Sequence, residues 1–123
     1  MLVIDAANVI GSRPTGWWRD RTGAARRFTE QVRATVAAGG LDPPVTVVLE
    51  GQSRKGADES DVDGVAVVHA PDEGDDRIAA IAAMHDEVVV VTADRGLAER
   101  VRATGGTVVG PSWLLDRLVD WNG

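Results

Sequence analysis

Five short, largely apolar runs rich in β-branched residues punctuate the chain: Leu2-Val3-Ile4 ending at Asp5, Val45 to Glu50, Val65 to His69, Glu87 to Thr92 (EVVVVT) and Thr107-Val108-Val109. None shows the polar alternation of a strand with one wet face, so each must be covered on both sides. Between them lie segments of helical character. From about Thr22 to Ala38, Ala25, Phe28, Val32 and Val36 recur at spacings of three and four and stop at Gly39-Gly40. A second helix is expected from about Gly74 to Met84, a shorter one over 94–104 closed by Gly105-Gly106, and a last one opened by Pro111 and running to about Val119. Apolar strands alternating with helices predict an α/β, three-layer sandwich around a five-stranded parallel sheet. The polar stretch 52–63 (QSRKGADESDVD) reads as a mobile loop.

At 123 residues the chain is expected to form one domain over 1–123, large enough for a core without staples. The absence of cysteine excludes a disulfide scaffold. No apolar run approaches the roughly 18 residues of a membrane span, and Met1 leads straight into Leu2-Val3-Ile4 without a basic leader. A soluble, cytoplasmic protein with no membrane partner is expected. The net charge of −6 argues against broad wrapping of nucleic acid, but the charge is unevenly spread. Residues 11–40 hold six arginines (Arg13, Arg19, Arg21, Arg26, Arg27 and Arg33) against Asp20 and Glu30, a net of +4, which leaves −10 for the remainder. Such polarity suits a positive lip beside an acidic cleft; a solvated, arginine-biased helix face explains it equally well.

In an open parallel sheet, ligands bind beyond the carboxyl ends of the strands. Asp5 follows the first strand, Glu50 the second and Asp94 the fourth, while Asp75 and Asp76 start the helix after the third. Converging carboxylates repel one another unless a hard cation neutralises them, and magnesium or manganese prefers such oxygen ligands. Each acid alone reads more readily as a helix cap or a partner of the helix dipole. Four positions on one edge favour a shared cation, on the ground that capping gives no reason for them to coincide. Other phosphate chemistries lack their residues. There is no G-x-x-x-x-G-K-[ST] loop and no dinucleotide fingerprint after a strand. A phosphoaspartyl phosphatase would want an aspartate where Ala7 stands, and a receiver domain a lysine near the fifth strand, whereas the only lysine is Lys55. No nucleophile elbow accompanies His69 and His85, which read as structural or surface residues.

The opening Asp5-Ala6-Ala7-Asn8-Val9-Ile10-Gly11 resembles the D-x-x-N-x-x-G start of NYN domains, members of the PIN-like nuclease superfamily. Leu49-Glu50-Gly51 is similar to that family's second strand ending in an acid and glycine, although aspartate is more usual than Glu50. Gly74-Asp75-Asp76-Arg77-Ile78 resembles the helix that carries the next acid, with Asp75 the better match, and Val91-Thr92-Ala93-Asp94-Arg95 resembles the fourth-strand signature. The resemblance implies strand order 3-2-1-4-5 and a metal-dependent nuclease centre that uses Mg2+ or Mn2+. On that basis Asp5, Asp75 and Asp94 are expected as catalytic core ligands, with Asp76 and Glu50 as outer ligands or water-positioning groups. Asn8 would orient Asp5 or hold a phosphate oxygen, and Thr92 would brace the loop that presents Asp94.

The segment Gly11 to Arg21 follows the first acid directly. Its Ser12, Arg13, Arg19 and Arg21, with Arg95 across the edge, are expected to contact phosphates, and one of Trp17 and Trp18 to stack on an unstacked base. The alternative has the tryptophans anchoring the loop and Arg19 pairing with Asp20 at the surface. Trp113 and Trp121 are expected to pack. The leading reading is a metal-dependent endoribonuclease acting on single-stranded or structured RNA. Its rivals are a non-catalytic RNA-binding module of the same fold and a metal-dependent nucleotide phosphohydrolase. A homodimer stays open.

Overall fold

The computed structural model describes residues 1–119. Six strands and five helices follow one another as β1 (Leu2–Asp5), α1 (Ala6–Gly11), α2 (Arg21–Ala37), β2 (Val45–Leu49), β3 (Ser60–Val62), β4 (Val65–His69), α3 (Gly74–Ala83), β5 (Val89–Val91), α4 (Arg95–Ala103), β6 (Thr107–Val109) and α5 (Pro111–Leu115). Two 3-10 turns, Trp17–Arg19 and Gly51–Gly56, complete the list. The sheet order is β3-β4-β2-β1-β5-β6. Every neighbouring pair is parallel except β3 with β4. The five apolar runs therefore lie in the expected order, and the correction is a sixth, antiparallel edge strand that makes the sheet mixed.

The strands are apolar on both faces because two helical layers cover them. Leu2 and Ile4 of β1 face one cluster with Phe28 and Val32 of α2, Val9 and Ile10 of α1, and Leu114 of α5. Val3, from the same strand, faces a second cluster with Ile78 and Ala82 of α3 and Leu97 and Val101 of α4. One strand thus divides its side chains between two dry cores, as the period of two requires. Burying 23 valine, leucine, isoleucine and phenylalanine side chains among the described residues, at roughly 1.5–3 kcal/mol each, is the principal term that holds the layers together.

The segment 52–63 is not a mobile loop. Its first half forms the 3-10 turn Gly51–Gly56, which packs on the start of α2, where the Thr22 hydroxyl donates to the Gln52 carbonyl at 3.3 Å. Its second half is β3, joined to β4 through Asp63-Gly64. Both of these residues hold positive φ, 53° and 83°, the backbone of a tight hairpin turn whose twist matches its strands. His69 fastens the segment from the other side: its ring Nε2 lies 2.7 Å from the Ala57 carbonyl, and its N–H donates to Glu59. His69 is a structural residue, as expected.

The last helix ends at Leu115, short of the expected Val119. Trp113 packs against the first core cluster, with the Arg117 guanidinium 4.0 Å from its ring centroid. Trp121 lies outside the described residues.

A Cβ at Gly56 would stand 2.6 Å from the Thr22 carbonyl, 2.7 Å from the Ala25 methyl and 2.8 Å from the Arg26 nitrogen, and neither backbone atom can move aside cheaply. Gly56→Ala is expected to lower stability by about 1–3 kcal/mol, read as a shifted midpoint in urea titration. A mobile loop would tolerate the methyl group with no shift.

Candidate active site

Parallel pairing brings the carboxyl ends of β1, β2, β4 and β5 to one edge. Asp5 pairs in register with Val48, and Ile4 with Val91, so Asp5 comes beside Thr92 and two residues short of Glu50. Thr92 is buried, 2% exposed. Its hydroxyl donates to Asp5 Oδ2 at 2.9 Å and accepts the Asp94 N–H at 3.1 Å. Asn8, one turn into α1, accepts the Ala93 N–H on its Oδ1 at 2.8 Å. Two side chains from different ends of the chain therefore fix the three-residue link Thr92-Ala93-Asp94 against β1 and α1. Thr92 braces the loop as expected. Asn8 does so too, through its amide oxygen, while only its backbone N–H reaches Asp5, at 3.4 Å.

Three of the acids are also caps. Asp5 is the N-cap of α1, Asp94 accepts the Leu97 N–H at 2.9 Å as N-cap of α4, and Glu50 Oε2 accepts the Gly74 N–H at 2.6 Å at the start of α3. This corrects the premise that capping gives no reason for the acids to coincide. In a parallel α/β fold the helix N-termini and strand carboxyl ends share one edge, so caps gather there regardless of ligand.

Two residues go beyond capping. Asp5 is buried, and its carboxyl is pushed up to about 6, first by loss of water and then by the charges of Asp75 and Glu50, against the opposing bonds from Thr92 and Asn8. Asp75 sits in the first turn of α3 and makes no cap. Desolvation raises its pKa above the ordinary value, and Asp94, Glu50 and Glu73 raise it further, while Arg100 offsets part of the effect. Asp75 is thus within electrostatic reach of Glu50 and Asp94, and Asp5 of Asp75 and Glu50. Asp76 is not part of that group: its side chain is 88% exposed and pairs with Arg100 at 2.9 Å. Among the described residues, no three acidic or imidazole groups stand as a ready-made metal cluster.

The lip divides into surface and support. Arg13, expected to grip phosphate, is only 8% exposed. Its guanidinium donates to Gln31 Oε1 at 2.8 Å and lies 5.3 Å from the Phe28 ring centroid, so it joins α2 to the end of α1 from below. The Ser12 hydroxyl donates to the Val9 carbonyl at 2.6 Å, at the end of α1. Trp17 is half-buried against the core and meets Trp18 edge to face, with centroids 6.1 Å apart. Trp18 is 57% exposed. Arg19 lies over Trp18 at 5.8 Å and Arg21 over Trp17 at 5.5 Å. Asp20 accepts the Gly23 N–H and caps α2 in place of the surface pair with Arg19.

Two grooves flank the acids. One, of about 310 Å³, lies between Trp17, Arg21 and the Gly51–Gly56 turn, with Glu50 in its wall. The other, of about 420 Å³, runs beside Thr92 and carries Arg95 and Arg102. Sequence reasoning missed Gln52 and Ser53 of the first groove and Arg102 of the second. Only their polarity marks them in the sequence, and nothing local shows that the 52–53 turn folds back to the sheet edge.

Asp5 makes a stability test. Its carboxyl binds a proton more tightly in the folded chain, with a pKa of about 6, than in the unfolded chain, where the ordinary value is 3.8. Metal-free stability therefore falls as pH rises through that window and stays reduced above it. Asp5→Asn is expected to raise stability near neutral pH by up to about 3 kcal/mol, less roughly 1 kcal/mol for a weakened hydrogen bond, and to lose the advantage at about pH 4. Thermal melts in chelator across that range check it; equal melting at every pH would remove the buried charge from the account.

The whole-chain likeness is to Rae1 (YacP) from Bacillus subtilis, whose crystal structure superimposes with a TM-score of 0.75 at 21% identity over 94% of this chain and 71% of that one. A point mutant of Rae1 gives 0.74 at 19% identity, with 94% and 72% covered. At such identity the likeness establishes the shared fold. No curated protein is significantly similar to the chain. The DUF188 family, described as "Uncharacterized BCR, YaiI/YqxD family", matches residues 24–113, which include Glu50, Asp75 and Asp94 and leave out Asp5 and the lip. That match spans most of the sequence, and the chain belongs to the YaiI/YqxD (DUF188) family.

Proposed function

We propose that the chain is a divalent-metal-dependent endoribonuclease of PIN-like type whose centre is the acidic carboxyl edge of the sheet. The observation that carries this reading is the pair Asp5 and Asp75. Both are held above their ordinary pKa by burial and by neighbouring carboxylates, and Asp75 has no cap to make. A folded chain keeps such mutual repulsion where a cation or a reaction makes use of it. The resemblance of the four acid-bearing segments to NYN domains points the same way.

The donor set fits magnesium or manganese in its chemistry, being made of hard carboxylate oxygens. It does not need a closed cluster of three, because magnesium keeps several waters and is commonly held by one or two carboxylates. Asp5, Asp75 and Asp94 would hold the ion, with Glu50 through water. When bound, the ion supplies an activated water and offsets charge on the phosphate undergoing hydrolysis. The chain's own contribution is orientation. Thr92 fixes the Asp5 carboxylate by its hydroxyl, and Asn8 fixes the backbone that presents Asp94. Arg19 and Arg21 on one side and Arg95 and Arg102 on the other would neutralise phosphates of a strand lying across the edge. Asp76, paired with Arg100, is assigned to the surface.

Purified protein is expected to cleave RNA with magnesium or manganese, to stop in chelator and to recover on re-addition of metal. Asp94→Asn should lower the rate by orders of magnitude while the fold is kept, and the same variant prepared in parallel controls for trace ribonuclease. That no three acids form a ready-made cluster among the described residues favours one other reading, a non-catalytic RNA-binding module. Metal-dependent binding of RNA that stays intact with every substrate offered would put that reading first.

Arg19→Ala with Arg21→Ala is expected to weaken RNA binding and flatten the slope of log affinity against log salt by about 1.4, at roughly 0.7 for each single-strand phosphate contact. Arg13→Ala should instead lower the melting temperature, because that side chain packs on Phe28. Anisotropy titrations at several salt concentrations, with melts of each variant, separate the two roles.

A further inference from the structure

We propose that the groove between Trp17 and the Gln52-Ser53 turn is a nucleobase subsite that receives one unstacked base of a single-stranded RNA. The proposal rests on the RNA-cleaving reading of the neighbouring acids and names what their substrate must place beside them.

The groove has walls from three elements: Ile10 of α1, Trp17 with Arg21 at the entry to α2, and Gln52 and Ser53 of the 3-10 turn. At about 310 Å³ it lies at the lower end of small-ligand sites, room for one base rather than two stacked ones. Its walls are held in place before any ligand arrives. The 3-10 turn is bonded to α2 through Thr22 and Gln52, and its far end lies against the α2 backbone at Gly56. Trp17 is anchored on the core. A preformed slot spares the ligand the entropy of ordering it.

The lining chemistry is that of a base reader. A half-buried indole and a guanidinium offer flat surfaces for stacking, and the Gln52 amide and Ser53 hydroxyl offer donors and acceptors for a base edge. Glu50 and Asp72, also in the wall, are acceptors and match the exocyclic amino groups of adenine, cytosine or guanine; uracil has no such group. Glu50 belongs to this groove and to the acidic edge at once, so a base seated here leaves its own phosphate next to Asp5 and Asp75. The groove on the other side of the acids has no aromatic wall, but it carries Arg95 and Arg102, which suits backbone rather than base. The base then lies on the Trp17 side, and the phosphates of the strand run from Arg21 across the acids toward Arg95.

Binding of dye-labelled short single-stranded adenosine, cytidine and uridine oligoribonucleotides to the Asp94→Asn protein in magnesium, read by anisotropy, tests this without any cleavage. Trp17→Leu in that background should weaken binding about tenfold, the loss of one stacked base. Ser53→Trp, which fills the groove from a half-buried position of the 3-10 turn that makes no side-chain hydrogen bond among the described residues, should weaken it at least as much, and its melt is recorded alongside. If the Trp17 variant melts early, Ser53→Trp decides. Adenosine and cytidine oligomers should bind more tightly than uridine; equal affinity overturns the part given to Glu50 and Asp72. Unchanged affinity in Ser53→Trp, or no binding of any oligomer at millimolar protein, overturns the subsite. Wild-type cleavage of long RNA is scored separately. Cleavage with an indifferent groove sinks the subsite alone, and groove-dependent binding without cleavage sinks the nuclease reading alone.

Discussion

The Thr92 hydroxyl has one proton to donate and lone pairs to accept, and at the end of β5 it uses both. The proton goes to a buried carboxylate at the end of β1, and the accepted N–H belongs to Asp94, the acid that opens α4. That single oxygen settles the distance between two acids 89 positions apart in sequence. Without it, Asp5 would be a desolvated charge with one long bond from Asn8, and the chain linking β5 to α4 would have no side-chain anchor but Asn8 Oδ1. The geometry of the edge depends on this pair of clamps because every other restraint there is an acid, and acids repel.

Capping and function are not competing explanations of the acids in this architecture. A strand followed immediately by a helix places a carboxylate where it satisfies orphan N–H groups and, in the same position, where the helix dipole favours negative charge. Asp5, Asp94 and Glu50 obtain that compensation from α1, α4 and α3 in turn. The helices therefore hold in place acids that would otherwise repel one another, and the remaining imbalance collects on Asp5, which is buried, and on Asp75, which has no cap. On the proposed reading, functional weight falls first on those two. The coincidence of four acids, which looks persuasive along the sequence, follows in part from the fold.

What was legible in the sequence follows from the range of the signal. The five apolar runs and the α2 periodicity are local patterns, and they place the parallel strands and the long helix nearly to the residue. The hairpin β3–β4 was also local, written in Asp63-Gly64 between Val62 and Val65, but the polarity of 52–61 outweighed it. The short helix α1 escaped notice because it begins at the residue after β1, with no loop to announce it. At the site, the acids and Thr92 were readable from their places at strand ends. The burial of Arg13 is not, because it depends on Phe28 and Gln31, 15 and 18 residues further along on α2. Nor was the division of the tryptophans, since two adjacent indoles look alike until packing makes Trp17 a wall and leaves Trp18 in water.

The burial of Arg13 changes how the charge asymmetry should be understood. A cation set between α1 and the Phe28 ring belongs to the scaffold, so the field at the surface is weaker than six arginines in thirty residues suggest. Of the five that are exposed, two are paired with aromatic rings, Arg19 with Trp18 and Arg21 with Trp17. An arginine stacked on an indole keeps its charge while losing rotamer freedom, and it presents a flat, partly dehydrated face. Such a surface attracts a phosphate backbone only over a short stretch, and it offers planes where an unstacked base can lie. A net charge of −6 is then not at odds with the RNA partner proposed above: the acids would repel long polyanions in general, and the local strip of paired arginines and indoles would favour the few nucleotides lying across the carboxylate edge.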